Sequence, residues 1–228
     1  MVSISGKIVF VAGANNIVGK SVCAAIGAAG GKVFAVGDPG CGSQVSVSPM
    51  DDGAWANAFS RCREVHGRID AVVNARHRSE FGQIAATTPD AFAQAYNDHA
   101  IASWLIQKHA VLALRQSGGG AIVIVTSVLG RVAGAGAAAA SAAARGILMS
   151  SKSAALECAR NRDGIVVNAV LAGRIEGDPT HWPDGRLLPA AHPVTPSDVA
   201  DSVMFYLTDG AAYMTGSELP VDAGFLAA

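Results

Sequence analysis

The chain has 228 residues, a formal net charge of −1 and 50% hydrophobic residues. This length suits one large domain spanning residues 1–228, and the apolar content excludes a disordered chain. The sequence has no run of about 18 uncharged apolar residues that would suit a membrane span. Its balanced charge, without a basic cluster, argues against nucleic acid and anionic membranes as partners. Charged residues make up 15% of the chain, whereas about 25% is ordinary for soluble domains. Much of the surface is therefore expected to be buried, either inside the chain or against another protein.

The chain contains four cysteines, Cys23, Cys41, Cys62 and Cys158, without CxxC spacing. This pattern favours reduced, buried thiols over a disulfide framework. The first residues lack the charged-then-apolar pattern of a signal peptide, so a cytoplasmic protein is expected.

Short apolar runs alternate with helical patterns along the chain. Strands are predicted at residues 8–12, 32–36, 69–73, 121–125, 165–170 and 218–221. Helices are predicted at residues 18–29, 54–66, 136–160 and 196–207, with one long helix that opens at Thr88-Pro89-Asp90 and reaches Leu114. The helix at 54–66 is predicted to bury one face made of Trp55, Ala58, Phe59, Cys62 and Val65, and Thr195 or Ser197 caps the helix at 196–207. The alternation predicts an α/β domain, a single Rossmann-like doubly wound parallel sheet.

The connection after the second strand is short. The next plausible strand begins near Gln44, which leaves residues 39–43 as the link. A parallel crossover needs about a dozen residues or more. The helix after the second strand is therefore predicted to be missing, or the strand that follows it to be irregular.

Several motifs occur in a fixed order: a glycine-containing turn at 13–19, IDAVVN at 69–74, IVIVTS at 122–127, VNAVLAG at 167–173 and YMTGSELPVDAG at 213–224. Together they resemble the short-chain dehydrogenase/reductase family over nearly the whole chain. The resemblance implies an NAD(P)-dependent carbonyl or alcohol reaction, carried by a Ser-Tyr-Lys set that an Asn often assists.

The catalytic set of the family is not reproduced. Ser127 matches the serine, but the tyrosine position is Ala140 and the lysine position is Ala144. Neither alanine can act as an acid or hydrogen-bond a ribose. The Asn position holds His99, and Lys152 lies eight residues beyond the expected lysine. The sequence therefore predicts that reductase chemistry is absent from this chain.

The cofactor loop also departs from the family pattern. Gly13, Asn15 and Gly19 remain, but Ile17 replaces the middle glycine that would leave space for a pyrophosphate. The Asn-Asn-Ala-Gly floor of the family is Asn74-Ala75-Arg76-His77 here. Asp38 lies one place beyond the expected ribose-binding acid, and a turn residue before Pro39 is an equal interpretation. The resemblance thus predicts that this chain binds no NAD(P).

A different reaction could take place where the family binds nicotinamide and substrate. By the alignment, His77, His99, Arg76 and Ser127 lie near the meeting point of nicotinamide and substrate, where a Ser-His pair would support nucleophilic or acid–base work. Alternatively, His99 packs on its helix and Ser127 bonds backbone. No cluster of His, Cys or Asp in the sequence has the spacing of metal ligands. In the segment 174–193, where the family places its substrate lid, His181 and His192 are expected to be solvated. The alternative is that His181-Trp182-Pro183-Asp184 contacts a ligand.

The Ala-rich stretch at 133–144 is a candidate for contact with another subunit, because two long helices of each subunit form a four-helix seam in this family. The simpler interpretation is that alanine, a good helix former, only fills space there. One hypothesis is a non-catalytic subunit that pairs with an active short-chain dehydrogenase, which would hold NAD(P). Its losses are similar to those of the inactive chain in a heteromeric family member that acts on an acyl-CoA. The alternatives are a homo-oligomer, a nucleotide-independent lyase, isomerase or hydrolase that uses Ser127, His99 and His77, and a small-molecule sensor.

Overall fold

A parallel sheet forms the centre of the fold, in a computed structural model that describes residues 4–38, 45–76, 81–178 and 192–227. Its order is β3-β2-β1-β4-β5-β6-β7. The strands are β1 (Ile8–Ala12), β2 (Lys32–Gly37), β3 (Val45–Ser46), β4 (Ala71–Asn74), β5 (Gly120–Ser127), β6 (Ile165–Ala172) and β7 (Glu218–Val221). The predicted Rossmann-like sheet is confirmed.

Helices cover both faces of the sheet. They are α1 (Ile17–Ala28), α2 (Asp52–His66), α3 (Pro89–Tyr96), α4 (Ala102–Ser117), α5 (Ala138–Asn161) and α6 (Pro196–Tyr206). Polar side chains accept a backbone N–H at the start of four of them: Asn16, Asp51, Thr88 and Thr195. The predicted cap Thr195 is confirmed, and it forms a reciprocal capping box with Asp198.

Alternation along each strand divides the core into two layers. In β1, Phe10 packs with the layer that includes α2, α4 and α5, whereas Val9 and Val11 pack with the layer of α1 and α6. Both faces are buried, as expected for a parallel sheet with helices on each side. Phe10 stacks on Phe59 of α2 with ring centroids 4.0 Å apart.

Two details differ from the sequence prediction. Val65 does not join the buried face of α2 and is 61% exposed, because it lies in the last turn at the edge of the apolar stripe; His66 faces inward instead, edge-on to Phe34. The long helix expected from Thr88 is interrupted by a π-helical turn at Asn97–Ile101, which separates α3 from α4.

The link after β2 is short, residues 38–44, although two residues longer than predicted. β3 has two residues and pairs in parallel with the end of β2, Val36 opposite Val45. Residues 39–44 lie outside the described part of the chain. The strand after the short link is thus only two residues long and pairs with β2 in regular parallel register.

The strand order reverses between β1 and β4, which places a crevice at their carboxyl ends. Ala12 pairs with Asn74 at this edge. The segments that follow β1, β2 and β4 therefore converge there, and they carry the candidate cofactor residues. Among the described residues, no helix is long and apolar enough to cross a membrane.

Candidate functional site

Two glycines of the β1–α1 turn are required by close packing within the chain. A Cβ on Gly19 would lie 2.0 Å from the carbonyl oxygen of Gly13, and a Cβ on Gly13 would lie 2.7 Å from the backbone N of Arg76. Gly13 also has φ +77°, a conformation that favours glycine. The two glycines are thus explained without a bound phosphate.

The asparagines of the same turn are engaged with protein groups. Asn16 caps α1: its Oδ1 accepts the N–H of Gly19 at 2.8 Å, and its Nδ2 donates to the carbonyl of Ala75 at 2.8 Å. Asn15 Oδ1 accepts the N–H of Asp38 at 3.3 Å. The helix N-terminus and the neighbouring loops are therefore joined to one another by side chains.

Asp38 and Arg76 form an ion pair across the crevice. Arg76 Nη1 donates to Asp38 Oδ1, and the arginine side chain is only 14% exposed while that of Asp38 is 44% exposed. The backbone N–H of Arg76 donates to Asn74 Oδ1 at 3.1 Å, and Asn74 Nδ2 donates to Ser103 Oγ at 3.0 Å. The predicted ribose-binding carboxylate and the amide of the floor are both already bonded.

These residues do not fit the adenosine half of a dinucleotide as they stand. The Asp38 carboxylate is bonded to a guanidinium instead of facing open space for a ribose. Ile17 is the first residue of α1 and packs against the apolar layer of that helix, where the family motif has a glycine.

Ser127 ends β5 and has a structural bond. Its Oγ accepts the N–H of Leu129 at 3.2 Å, which caps a short 3₁₀ turn at Val128–Gly130, and the residue is 5% exposed. This is the backbone role that the sequence offered as the simpler alternative.

Ala140 lies in an apolar cluster. Leu129, Ala137 and Ala140 are buried together, and Phe81 packs against them. Ala144 is likewise buried, 4% exposed, beside Gly130, whose added Cβ would lie 3.1 Å from the Ala144 backbone. The positions of the two expected catalytic side chains are therefore part of the hydrophobic core, with no acidic or basic group supplied by either.

The remaining candidates are distributed around the molecule. His99 is half-buried in the π-helical turn, against which α5 packs. His192 is exposed, as predicted, whereas His77, His181 and Trp182 lie outside the described residues.

Burial raises the pKa of Cys23 to about 11, of Cys62 to about 12 and of Cys158 to about 11, so these free thiols are protonated and poor nucleophiles. Among the described residues, no group of three or more His, Cys, Asp or Glu could hold a metal ion.

One surface leaves large apolar side chains in solvent. Trp104 and Leu112 of α4 are 49% and 48% exposed, and Met149 and Leu156 of α5 are 50% and 61% exposed. A groove of about 530 Å³ lies between the two helices and is lined by residues that include Trp104, Leu112, Ser150 and Ala154. We name this surface, made of α4 and α5, the α4–α5 seam.

Comparison with known proteins places the chain in a family. A family model described as enoyl-(acyl carrier protein) reductase matches residues 40–226, which is most of the chain. The chain belongs to the short-chain dehydrogenase/reductase family. The 3-oxoacyl-[acyl-carrier-protein] reductase MabA of Mycobacterium tuberculosis is similar, 26% identical over 95% of this chain and 91% of that protein.

Two further members of the short-chain dehydrogenase/reductase family are informative. Subunit BbsC of the (2S)-[(R)-hydroxy(phenyl)methyl]succinyl-CoA dehydrogenase of Thauera aromatica is 28% identical over 96% of this chain and 94% of that protein. A short-chain type dehydrogenase/reductase from Mycobacterium ulcerans has the same fold, with a TM-score of 0.88 and 23% identity over 98% of this chain and 90% of that one.

Within this short-chain dehydrogenase/reductase, the structure corrects one placement. Arg76 was expected beside His99 and Ser127, but it pairs with Asp38 beyond the end of β2, since the crevice runs from β4 across β1 towards β2. Sequence reasoning missed Phe81, which packs across the chain on Ala140 without a local signal. It also missed Asn16, although an Asn directly before a helical pattern is an N-cap signal.

Proposed function

We propose that this chain is a non-catalytic subunit that pairs with an active short-chain dehydrogenase. The observation that carries the proposal is the burial of Ala140 in an apolar cluster with Phe81. Reduction of a carbonyl in this family needs an acid at that position, and an alanine in the core has no proton to give. The bond of Ser127 to the backbone supports the same conclusion.

The proposal includes the absence of a nucleotide on this chain. Asp38 is paired with Arg76, and Asn74 is bonded to Ser103 and to the Arg76 backbone. Groups that would contact an adenosine ribose or its floor are therefore engaged within the protein. NAD(P) is assigned to the active partner.

The α4–α5 seam is the proposed contact surface. Its four large apolar side chains are half-exposed in the single chain, and association that covers them would be favourable by about 25 cal/mol per Å² of apolar area removed from water. The low content of charged residues fits a chain with an extensive interface. The similarity to a protein named as one subunit of a dehydrogenase supports pairing with a different chain and an acyl-CoA substrate for the complex.

Co-expression with a candidate partner tests the proposal. The partner is the intact short-chain dehydrogenase encoded closest to this chain, and native mass spectrometry reads the composition of the complex. We expect a hetero-oligomer for the wild type and its loss in Leu156→Glu. Val65→Glu is the matched control, because Val65 is equally exposed, 61%, and belongs to α2, which is neither of the two seam helices.

Activity assays separate this proposal from its rivals. The complex is expected to consume NAD(P)H only when the partner has its catalytic tyrosine, while the purified chain alone is inactive. Reductase activity of the purified chain would overturn the non-catalytic role. A homo-oligomer that ignores the partner at equal concentrations would overturn the pairing.

A further inference from the structure

We infer that Arg76 is a built-in occupant of the crevice: its guanidinium takes the place of a nucleotide at Asp38, closes the carboxyl edge of the sheet and excludes dinucleotides. We name the contacts among Asn15, Asp38 and Arg76 the Asp38–Arg76 clasp. The inference deepens the nucleotide-free role proposed above and rests on that part of it, but it does not need a partner subunit.

The clasp joins three separate segments. Asn15 belongs to the β1–α1 turn, Asp38 follows β2 and Arg76 follows β4. Asp38 is held from both sides, since its N–H donates to Asn15 Oδ1 at 3.3 Å and its carboxylate accepts from Arg76. A second hydrogen bond joins two of these segments, since Asn16 Nδ2 donates to the carbonyl of Ala75 at 2.8 Å. The first residues after β1, β2 and β4 are thereby bonded directly to one another.

Burial makes the pair asymmetric. The Arg76 side chain is 14% exposed, and within the described part of the chain its buried Nε has no acceptor. The Asp38 side chain is 44% exposed, so water can solvate this carboxylate if Arg76 is removed. Removal of the Asp38 charge instead strands a largely buried guanidinium, which is the costlier loss. The clasp thus predicts which half matters more to the stability of the fold.

Thermal unfolding of single and double variants tests this asymmetry. Asp38→Asn is expected to lower Tm by roughly 2–4 °C, the shift expected in a chain of this size for loss of a charge pair that is partly screened by solvent. Arg76→Ala is expected to lower Tm by less than half as much. The double variant Asp38→Asn/Arg76→Ala should recover part of the loss of Asp38→Asn. Arg61→Ala on the exposed face of α2 is the matched control and should leave Tm unchanged.

Strictly additive Tm losses, or a larger loss for Arg76→Ala than for Asp38→Asn, would overturn the clasp as a stabilising device. Arg76→Lys supplies a further comparison if Asp38→Asn or Arg76→Ala is only partly folded at room temperature, because it keeps a positive charge at the same position. That variant should unfold between the wild type and Arg76→Ala.

Binding of NADH tests the exclusion. Wild-type chain is expected to give no fluorescence titration and no Tm increase with NADH. Ile17→Gly opens the turn but leaves Arg76, whereas Ile17→Gly/Arg76→Ala removes both obstacles. We expect the double variant to bind at least about tenfold more tightly than Ile17→Gly, a difference of 1.4 kcal/mol.

Equal NADH affinity of these two variants would overturn the role of Arg76 alone. Submillimolar binding by the wild type would overturn both the clasp and the nucleotide-free part of the proposed function. Neither result bears on pairing through the α4–α5 seam, which the co-expression experiment reads independently.

Discussion

Lys152 Nζ lies 2.8 Å from Glu218 Oε1, so the single lysine of α5 is bonded to the first residue of β7. Arg131 donates to the other oxygen of the same carboxylate, whose side chain is only 4% exposed. Lys152 lies two helical turns from Ala144 and has a structural partner of its own. Lys152 is therefore one of two cations around a buried carboxylate.

Replacement of Glu218 by glutamine should destabilise the fold at neutral pH. Burial by itself would raise the pKa of Glu218, but the hydrogen bonds from Lys152 and Arg131 outweigh that effect and hold the pKa below its usual value of 4.5. Loss of the charge leaves two cations without their shared anion. We expect Glu218→Gln to lose about 1–3 kcal/mol of unfolding free energy in urea at pH 7, less than a fully buried pair because both cations are partly exposed.

The Glu218 carboxylate and its two cations make a pH-dependent contribution to the free energy of unfolding. A folded-state pKa below the unfolded value means stability that is present above pH 4.5 and is lost as pH falls through the folded pKa. The difference between wild type and Glu218→Gln should therefore shrink on acidification below pH 4.5. The control is Glu157→Gln, since Glu157 is 65% exposed at its contact with Arg115. An unchanged difference at pH 3 would contradict this.

Restoring the family residues should not restore catalysis. The variant Ala140→Tyr/Ala144→Lys inserts two large side chains where the alanines are 6% and 4% exposed. We expect a loss of about 1–3 kcal/mol for overpacking by Ala140→Tyr alone, and no consumption of NADPH by the double variant. Ala135→Tyr, at an exposed position, is the stability control. A stable double variant with reductase turnover would show that the site needs only these two residues.

Ala223 has φ +55°, a left-handed conformation that costs a residue with a Cβ about 1 kcal/mol or more. Ala223→Gly should relieve part of this strain and raise the unfolding free energy by about 0.5–1 kcal/mol. The same substitution at Ala24, exposed within α1, should have the opposite sign because glycine costs about 1 kcal/mol in a helix. Thermal denaturation of both variants checks the prediction, and a lower Tm for Ala223→Gly refutes it.

Three thiols should resist alkylation in the folded chain. Burial raises the pKa values of Cys23 and Cys158 to about 11 and of Cys62 to about 12, so the thiolate is scarce at pH 8. We expect iodoacetamide to label their peptides only after unfolding in urea, as read by mass spectrometry. Rapid labelling of Cys62 in the folded protein at pH 8 would be inconsistent with its buried position.

Much of the fold could be predicted from local patterns. The apolar run at Ile8–Ala12 and the Thr195 cap depend on neighbouring residues, and the structure agrees with both. The π-helical turn at Asn97–Ile101 could not be predicted, because its sequence continues the helical pattern of both flanking helices. Val65 was misassigned because periodicity places a residue on a face but not its distance from the end of the core.

The sequence by itself determined the family, the alternation of strands and helices in an α/β domain, and the absence of a tyrosine and lysine at positions 140 and 144, because these depend on residue identity and spacing. Only the tertiary structure decided what replaces them. Phe81 packs against Ala140, and Arg76 pairs with Asp38 across the crevice, between residues that are distant in sequence. The physical reason is that both contacts are made where the segments following different parallel strands converge, and the pattern of a single segment contains no record of the others.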